Sequence, residues 1–575
     1  MNRFAKAAAP LAIVLSITAC ATVPAETQLP VTLRVVGLND FHGNLEPIRR
    51  PTTLKGADGT DRQVQVAGVA HLASAVAGIR AQAEHSLVIA AGDLIGGSPL
   101  VSSYFLDEPA IGAMNRLGLD FNAVGNHEFD RGWRELKRMQ DGGCEKLALR
   151  EPCAVEGDFP GARFKFLAAN VVTPSGETLF PAYAIKSFGE GKRSFDVGVI
   201  GLTLKETPTL VTPSGVDGLA FGDEAAAINR AVDALSAKGV KTIVVAIHQG
   251  LYTDVGYNDK SCGGLSGSLL DILKGVDPRV DLVISGHTHR AYVCDFAAID
   301  AERPFLVTSA GYGGSFLTDI RLAIDPKSGD VIARAADNVV VQVGGEGASP
   351  VADFRAFAPE PGVAQYVARY VAAAADASAR PVGKISGEAR DPGPATEETA
   401  LGNLIADAQL FGTRSAGAQI AFMNNSGIRT GMTPAADGTV TYGDIYAVQP
   451  FGNTLVTKTF TGAQLLALLE QQFDAEGVVQ TFSPSAGFAM TYDMRRPAGS
   501  RVISATLDGA PIDPAKSYRV TMNSFLAAGG DSFTVFNQGT DATIGAVDLD
   551  AMEEYLRAVP LRRLPALGRV TAIGG

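Results

Sequence analysis

Cysteine is scarce in this sequence, with five residues among 575 and no pair in a CxxC arrangement. Thiolate zinc sites commonly rely on such close pairs, so a cysteine-bound metal is not expected. Apart from Cys20, four cysteines remain, an even number that is typical of disulfides in an exported protein. Proximity in the sequence favours pairing Cys144 with Cys153 and Cys262 with Cys294, although four cysteines allow three pairings.

Basic residues are also fewer than acidic residues. Lys and Arg number 49 against 61 Asp and Glu, which gives a formal net charge of −12. An acidic chain lacks the basic footprint that a nucleic-acid polymer requires, so such a partner is not expected. A small anionic substrate would need local positive charge, which bound metal ions would supply.

Long apolar runs are absent from the sequence after its first residues. Arg3 and Lys6 precede the apolar segment Ala7 to Ile17, and Thr18-Ala19-Cys20 follows as a small-residue cleavage site. This pattern predicts a signal peptide over residues 1–20, too short to span a membrane. It resembles a bacterial lipoprotein signal, in which the final cysteine is acylated; an ordinary secreted protein cleaved nearby is the alternative. We expect a periplasmic or cell-envelope lipoprotein that contacts the membrane through a lipid anchor at Cys20.

Five short runs rich in Val, Ile and Leu each end in polar residues. The runs cover residues 33–38, 86–91, 121–124, 243–247 and 281–285. The polar clusters after them are Asp40-Phe41-His42, Gly92-Asp93, Gly125-Asn126-His127, His248 and Gly286-His287-Thr288-His289. Such runs are typical of buried parallel strands whose carboxyl ends carry chemistry. Five of the seven histidines fall in these clusters, which packing alone does not explain because packing favours apolar residues there.

Segments with helical spacing of apolar residues alternate with these runs. Helices are predicted over residues 68–82, 109–117 and 224–238, and further buried strands over residues 164–169, 196–202 and 304–309. The alternation predicts an α/β domain, over residues 31–345, in which helices cover a sheet. His71 lies within the first helix and His85 just beyond it, and both are interpreted as structural or surface residues.

A domain boundary is predicted where Gly, Ala and Pro accumulate, between Gly344 and Pro361. Within a linker of residues 346–380, apolar residues recur at spacings of three and four, which predicts a connector helix with one apolar stripe packed between domains. A second domain would occupy residues 381–575. Its predicted helices cover residues 401–411 and 461–473, and its predicted strands cover residues 454–460, 488–492 and 518–522.

The five polar clusters together resemble the motifs of calcineurin-like metallophosphoesterases. Three longer segments make the resemblance more specific: Asn39 to Asn44, Ala123 to Asp130 and Pro450 to Asn453. With them the chain resembles the bacterial 5′-nucleotidase family over nearly its whole length after the signal peptide. The resemblance implies a layered α/β sandwich of metallophosphoesterase type, then a connector helix and a smaller α+β domain that binds nucleotides.

The resemblance also implies two divalent metal ions. The implied ligands are Asp40, His42 and His289 for one ion, Asn126, His248 and His287 for the other, and Asp93 as a bridge between them. Carboxylate, amide oxygen and imidazole ligands suit Zn, Mn, Fe or Co. Two adjacent ions would provide a strong nucleophile at neutral pH and compensate for charge on the phosphoryl oxygens.

His127 would have a different part in the implied reaction. In the family, the matching histidine stabilises the transition state or protonates the leaving group. Asp130 could accept the other ring proton of His127 and raise its pKa, because residues three apart on a helical turn share a face. The alternative is that Asp130 caps a turn. Glu128 is interpreted as a solvated charge.

The second domain would supply substrate specificity. The segment Asn424 to Arg429 resembles the family's Asn-Gly-Gly-Gly-Ile-Arg, whose arginine contacts the substrate phosphate. Phe451 and Phe525 match the two aromatic residues that enclose the base. Asn453 and Asp531 match polar residues that touch the nucleoside, and Asn424 could reach it as well. The chain has 27 phenylalanines, and most of them must be buried in the core. The assignment of Phe451 and Phe525 to the base therefore depends on the motifs that contain them.

Two departures from the family leave the substrate open. Thr396 and Glu397 stand where nucleotide-specific relatives carry additional arginines, and Asn425 and Ser426 replace two glycines, which stiffens their loop. The leading hypothesis is an exported hydrolase that releases phosphate from nucleotides by attack of a metal-bound hydroxide. The alternatives are a 2′,3′-cyclic-nucleotide 2′-phosphodiesterase with 3′-nucleotidase activity, a thiosulfohydrolase-like enzyme and a non-catalytic surface lipoprotein.

Overall fold

The computed structural model describes residues 29–48, 51–56, 58–147, 150–211, 215–390, 398–474 and 480–573. The predicted signal peptide with Cys20 lies outside these ranges, as do Thr396 and Glu397. Within the described ranges, no helix is long and apolar enough to cross a bilayer.

The amino-terminal part is built on two six-stranded sheets that pack face to face. In order across the first sheet, the strands are Val331–Val340, Phe316–Ile324, Val31–Leu38, His85–Ala90, Phe121–Ala123 and Lys165–Leu167. Across the second they are Ala291–Asp295, Leu306–Ala310, Leu282–Ser285, Thr242–His248, Phe195–Thr203 and Tyr183–Phe188. The five runs with polar ends form strands that lie parallel within each sheet, which confirms the prediction.

Alternation along the strands explains this layering. In the strand Val31–Leu38, Leu33 and Val35 belong to the core between the sheets, whereas Val36 and Leu38 belong to the core under the helices. Successive side chains of a strand face opposite sides, so a continuous apolar run is buried on both faces. The helices are Val69–Arg80, Glu108–Leu117 and Trp133–Asp141 on the first sheet, and Glu224–Ala237 and Leu269–Lys274 on the second.

Two disulfide bonds fasten surface segments of this part, Cys144 to Cys153 and Cys262 to Cys294. These are the pairs that sequence proximity favoured, so that prediction is confirmed. The remaining elements are the helices Leu100–Ser103 and Thr207–Leu210 and the strand pairs Thr52–Lys55 with Asp61–Val64, Val171–Val172 with Ala220–Phe221, and Gln342–Val343 with Ala356–Phe357.

The connector is the helix Pro361–Ala379, whose first turn is capped by the Glu360 carboxylate. Its apolar stripe, including Val363 and Tyr366, packs into the core under the helices of the first sheet. The connector also contacts the helix Tyr442–Val448 of the carboxyl-terminal part, so it lies against both parts of the chain, as predicted. Near its end, Ser378 lies against Gly443 of the carboxyl-terminal part.

The carboxyl-terminal part contains a five-stranded and a four-stranded sheet. In order, the first has Phe482–Pro484, Ile420–Asn424, Ser517–Asn523, Thr454–Thr461 and Thr540–Val547, and the second has Ala510–Pro511, Val502–Leu507, Phe488–Tyr492 and Val570–Ala572. Pro381–Lys384 pairs with Thr439–Thr441, and the helices are Ala400–Gly412, Tyr442–Val448, Gly462–Glu470, Ser524–Ala527 and Asp548–Arg557. The fold class agrees with the sequence analysis, while the domain limits 31–345, 346–380 and 381–575 stay predictions.

A buried ion cluster joins the helices Glu108–Leu117 and Trp133–Asp141, and its contribution to the stability of the fold can be tested. The Arg138 guanidinium lies 2.8 Å from the Glu108 carboxylate and 2.6 Å from that of Glu135. All three residues are buried, with at most 5% of their surface exposed. Burial raises the pKa of Glu108, so its negative charge depends on the guanidinium beside it.

Replacing Arg138 with Met should leave two buried carboxylates without a counter-charge. We expect the free energy of unfolding, measured by denaturant titration, to fall by about 3–5 kcal/mol. Adding Glu108→Gln and Glu135→Gln should recover most of that loss. Arg279→Met, which removes an exposed ion pair, is the control. A loss for Arg138→Met no larger than for the control would contradict the stabilising role of the cluster.

Candidate active site

The predicted site residues meet at one edge of the two sheets. Asp40, Asp93 and Asn126 follow the carboxyl ends of three strands of the first sheet, which lie parallel to one another. His248 and His287 lie at the carboxyl ends of two parallel strands of the second sheet. Parallel strands end at the same edge, so residues far apart in the sequence are brought together there.

The first group of predicted metal ligands is Asp40, His42 and His289. The Nε2 atoms of the two histidines are 3.2 Å apart, and Nε2 of His289 lies 3.5 Å from Oδ1 of Asp40. Ligand atoms bound at about 2.1 Å to a single ion lie roughly 3–4 Å from each other. The spacing of this group therefore fits one bound cation.

The second group is Asp93, Asn126, His248 and His287. Nε2 of His248 lies 3.0 Å from Oδ2 of Asp93 and 3.1 Å from Oδ1 of Asn126. The His287 ring is 5.3 Å from the His248 ring, measured between centroids. Oδ2 of Asp93 also lies 3.6 Å from Nε2 of His42 in the first group. The structure thus brings the predicted ligands together with Asp93 between the two groups, and their binding of metal stays a prediction.

Backbone carbonyls orient two of the imidazoles. His42 donates from Nδ1 to the carbonyl of Gly96, and His248 donates from Nδ1 to the carbonyl of Ala91, both at 2.8 Å. A ring that carries its proton on Nδ1 has a lone pair on Nε2. Both Nε2 atoms face the centre of the site, which is the arrangement found around metal-binding histidines.

The backbone at the site is strained. Five predicted ligands have left-handed φ angles: Asp40 at 47°, His42 at 46°, Asp93 at 52°, His287 at 70° and His289 at 58°. Such angles are uncommon outside glycine and cost of order 1–3 kcal/mol each, so the surrounding structure must hold them. Backbone N–H groups of His287 and His42 do so by bonding to the Asp40 carboxylate and the Asp93 carbonyl.

Burial shifts the pKa values of the predicted ligands. It raises the pKa of Asp40 to about 7 and lowers that of His287 to about 3. For His248, burial also favours the neutral ring, but the neighbouring Asp93 carboxylate outweighs it and raises the pKa to about 9. Oxygen and imidazole donors buried together without thiolates fit divalent ions such as Zn, Mn, Fe or Co.

His127 adjoins the ligands and contacts Asp130 as predicted. Its Nδ1 lies 3.0 Å from both carboxylate oxygens of Asp130, and its backbone N–H donates to Asp93 at 2.9 Å. Burial alone would lower the pKa of the ring, but the carboxylates of Asp130 and Asp93 raise it. Asp130 also accepts the backbone N–H of Gly97 at 3.0 Å, so it is fixed on both sides.

The interpretation of Glu128 as a solvated charge is wrong. This residue is only 3% exposed, and its carboxylate accepts the backbone N–H groups of Asp93, Leu94 and Gly125 at 2.6–2.8 Å. Burial and the nearby Asp93 raise its pKa to about 7. Glu128 therefore ties two ligand-bearing loops together. This role has no sequence signal, because the bonded groups at 93 and 94 are distant along the chain.

The substrate residues predicted in the second domain face the metal side across one cavity of about 230 Å³. Its lining includes Asn424, Arg429, Phe451, Asn453, Phe525 and Asp531 from the carboxyl-terminal part, and Asp93, Asn126, His127, Asp130, His287 and His289 from the amino-terminal part. The rings of Phe451 and His127 stack with centroids 5.9 Å apart. The two sets of predicted residues thus meet in the same space.

Gly97 lies where the two sets meet. A Cβ atom on this residue would lie 3.5 Å from the His42 ring and 3.6 Å from both the Arg429 guanidinium and the Phe451 ring. Gly97 has a φ of 54°, so any other residue there would be strained. Nη2 of Arg429 is buried and has no hydrogen-bond partner among the described residues, which makes it a donor available to a ligand.

Several residues at the site were not predicted, among them Tyr312 and Arg131. Tyr312 packs against the rings of His289 and His42, with centroids 4.6 and 5.4 Å apart. Arg131 lines the cavity and pairs at 2.5 Å with Asp107, which is fully buried. Tyr312 follows the strand Leu306–Ala310, so the rule that polar residues after parallel strands mark the site would have found it.

Two family models match the chain. The calcineurin-like phosphoesterase model matches residues 33–291, and the 5′-nucleotidase carboxyl-terminal domain model matches residues 381–538. The crystal structure of a 5′-nucleotidase precursor from Thermus thermophilus superposes with a TM-score of 0.73 and 27% identity, over 95% of this chain and 100% of that one. The fold and site define a calcineurin-like phosphoesterase. With its second domain, the chain belongs to the 5′-nucleotidase family, which uses divalent metals.

Two relatives are longer than this chain. Endonuclease YhcR of Bacillus subtilis is 30% identical over 541 residues, which cover 92% of this chain and 40% of that protein. Cell wall protein Lmo0130 of Listeria monocytogenes is 28% identical over 604 residues, which cover 97% of this chain and 72% of that protein. The chain thus spans less than half of the first relative and about three quarters of the second.

Glu128→Ala should loosen the site without changing the side chain of any predicted ligand. Losing the acceptor of three buried N–H groups is expected to lower the free energy of unfolding by about 3 kcal/mol or more. Metal retained after dialysis, measured by mass spectrometry, should fall as well. Glu84→Ala, which changes a side chain that is 70% exposed, is the control. A variant with the stability and metal content of the control would show that Glu128 is dispensable.

Proposed function

We propose that this protein is an exported dimetal hydrolase that removes phosphate from nucleotides in the manner of a 5′-nucleotidase. The observation that carries the proposal is the shared cavity, which is lined by four predicted metal ligands together with the predicted nucleotide-binding residues; these ligands are Asp93, Asn126, His287 and His289. Because Phe451 stacks on His127, a base held by this phenylalanine would lie beside the residues that act on the phosphate.

The seven predicted ligands would hold the two ions in the two groups defined by their geometry. One ion would lie among Asp40, His42 and His289, the other among Asn126, His248 and His287, with Asp93 contacting both. When bound, divalent ions would neutralise charge on the phosphoryl oxygens and provide a nucleophile at neutral pH. The predicted ligands are held in place by hydrogen bonds within the chain. The carbonyls of Gly96 and Ala91 orient His42 and His248, and Glu128 holds the backbone of Asp93.

His127 would act on the substrate directly. Its Nδ1 proton is donated to Asp130, which fixes the ring and leaves Nε2 for the phosphoester. From the metal edge of the cavity, this imidazole would protonate the leaving oxygen or stabilise charge on the phosphoryl group. The carboxylate of Asp130 favours the cationic form of the ring and so raises its pKa.

The carboxyl-terminal part would hold the rest of the nucleotide. Arg429 has an unused donor, and a guanidinium matches phosphate oxygens with paired N–H groups. Phe451 and Phe525 would enclose the base, since aromatic faces stack well on one another. Asn453 and Asp531, with Asn424, would bond the polar edges of the nucleoside.

A second candidate is a 2′,3′-cyclic-nucleotide phosphodiesterase with 3′-nucleotidase activity. Among the described residues that line the cavity, Arg131 and Arg429 are the only ones with cationic Lys or Arg side chains, and Arg131 is paired with buried Asp107. A monoester near neutral pH carries close to two negative charges, whereas a cyclic diester carries one. Because the cavity offers few cationic side chains, it suits a substrate with one negative charge, which makes the cyclic diester a second candidate substrate.

Export to the periplasm or cell envelope, with a lipid anchor at Cys20, is part of the proposal. The first twenty residues support it, because a basic start, an apolar segment and a small-residue site ending in cysteine follow one another. The similarity to a cell wall protein points the same way.

The proposed function is tested by one chromatographic assay that follows the hydrolysis products of AMP, 3′-AMP, 2′,3′-cyclic AMP, UDP-glucose and NAD, because diesters and pyrophosphates are cleaved without releasing phosphate. A 5′-nucleotidase should hydrolyse AMP with the highest kcat/KM. Highest activity on 2′,3′-cyclic AMP and 3′-AMP would replace the leading candidate by the second. No hydrolysis of any of them by metal-loaded protein would contradict both.

Asp93→Ala and His127→Ala should separate metal binding from chemistry. Removing Asp93 takes away the contact shared by both ligand groups, so both metal retention and turnover should be lost. Removing His127 should lower kcat about a hundredfold or more while metals stay bound. Metal content by mass spectrometry and kcat on AMP are the two measurements.

The two variants serve as controls for each other. Full metal and full activity in Asp93→Ala would contradict its place between the ions. Loss of metal in His127→Ala would mean that this histidine is a ligand.

A further inference from the structure

The two residues that replace glycines in the loop after the strand Ile420–Asn424 make specific hydrogen bonds. Asn425 is buried, and its amide donates to the hydroxyl of Thr481 and accepts from the hydroxyl of Ser483, both at 2.7 Å. These bonds fasten the loop to the neighbouring strand Phe482–Pro484. The next residue, Ser426, is thereby placed at the rim of the cavity.

Ser426 belongs to a set of three donors that converge on one oxygen of Asp531. Oδ2 of that carboxylate accepts the Ser426 hydroxyl at 2.7 Å, the Asn424 amide at 2.8 Å and the Gln480 amide at 3.2 Å. Asn424 also donates to Ser426 at 2.9 Å, which closes the network. One carboxylate oxygen with three donors has no capacity left for a ligand.

The other oxygen of Asp531 is in the opposite situation. Among the described residues none donates a hydrogen bond to Oδ1, although Asp531 lines the cavity. Asp531 has a left-handed φ of 54°, so its position depends on contacts that hold it. A Cβ on the preceding Gly530 would lie 2.5 Å from the Phe525 ring, so this segment lies directly against that ring.

We propose that Ser426 is a positioning residue that sets how the protein recognises the sugar of its substrate. By occupying Oδ2 together with Asn424 and Gln480, it turns Oδ1 of Asp531 toward the cavity as the acceptor for a sugar hydroxyl. The inference rests on the proposed function and deepens it, since it gives Ser426 a role in how the sugar is held. A nucleoside that lacks the 2′- and 3′-hydroxyls would leave Oδ1 without a partner, which weakens binding.

The test measures nucleoside binding to the full metal-loaded protein by calorimetry, so it does not depend on catalysis. The probes are adenosine and 2′,3′-dideoxyadenosine. Wild-type protein should bind adenosine about tenfold more tightly than the dideoxy compound. Ser426→Ala should lose about tenfold for adenosine and nothing for the dideoxy compound, while Ser426→Thr, which keeps the hydroxyl, should bind both like wild type.

Two controls separate positioning from a structural effect. Ser532 is exposed, adjoins Asp531 and makes no side-chain hydrogen bond within the described chain, so Ser532→Ala should leave both affinities unchanged. In an Asp531→Ala background, Ser426→Ala should have no further effect, because it acts through that carboxylate.

The possible failures are distinct. Unchanged adenosine binding in Ser426→Ala, an equal loss for both nucleosides, or an additive loss in the Asp531→Ala background would overturn the role of Ser426 and leave the proposed function standing. Wild-type protein that binds neither nucleoside would overturn the nucleoside pocket itself, and with it both the proposed function and this inference.

Discussion

The structure depends on keeping carboxylates and imidazoles buried within a few ångströms of each other at the edge of two sheets. Asp93 is central to this arrangement, since one of its oxygens lies 3.0 Å from His248 and 3.6 Å from His42. Burying such groups is unfavourable unless they are paired, hydrogen-bonded or bound to a cation. The carbonyls that orient the imidazoles and the Glu128 carboxylate hold the donors in place, although five of the predicted ligands have strained left-handed backbone angles.

The second domain completes the site from the other side. Phe451 stacks on His127, and Arg429 reaches the glycine-containing loop next to His42. The metal side and the nucleotide side therefore form one cavity. The polar motifs lie in two widely separated parts of the sequence because the amino-terminal part supplies the predicted metal ligands and the carboxyl-terminal part supplies the predicted nucleotide-binding residues.

Much of this arrangement was predictable from sequence because it follows from strand periodicity. An apolar run followed by a polar cluster indicates a buried parallel strand with functional residues at its carboxyl end. Because the carboxyl ends of parallel strands lie at one edge of the sheet, Asp40, Asp93 and Asn126 could be expected to lie close together. The role of Glu128 could not be, because its partners are backbone groups of another loop and carry no sequence signal. Ser426 was expected to stiffen its loop, but its bond to Asp531 joins residues 105 positions apart and became visible only in the fold.

The central claim is that the donors cage two cations beside one imidazole and face a nucleotide pocket. Anomalous diffraction at the absorption edge of the bound metal, from crystals of the full protein, tests it most directly. The account predicts two peaks, one among Asp40, His42 and His289 and one beside His248, with the Asp93 carboxylate between them. A single peak elsewhere, or none at this edge of the sheets after metal loading, would contradict it.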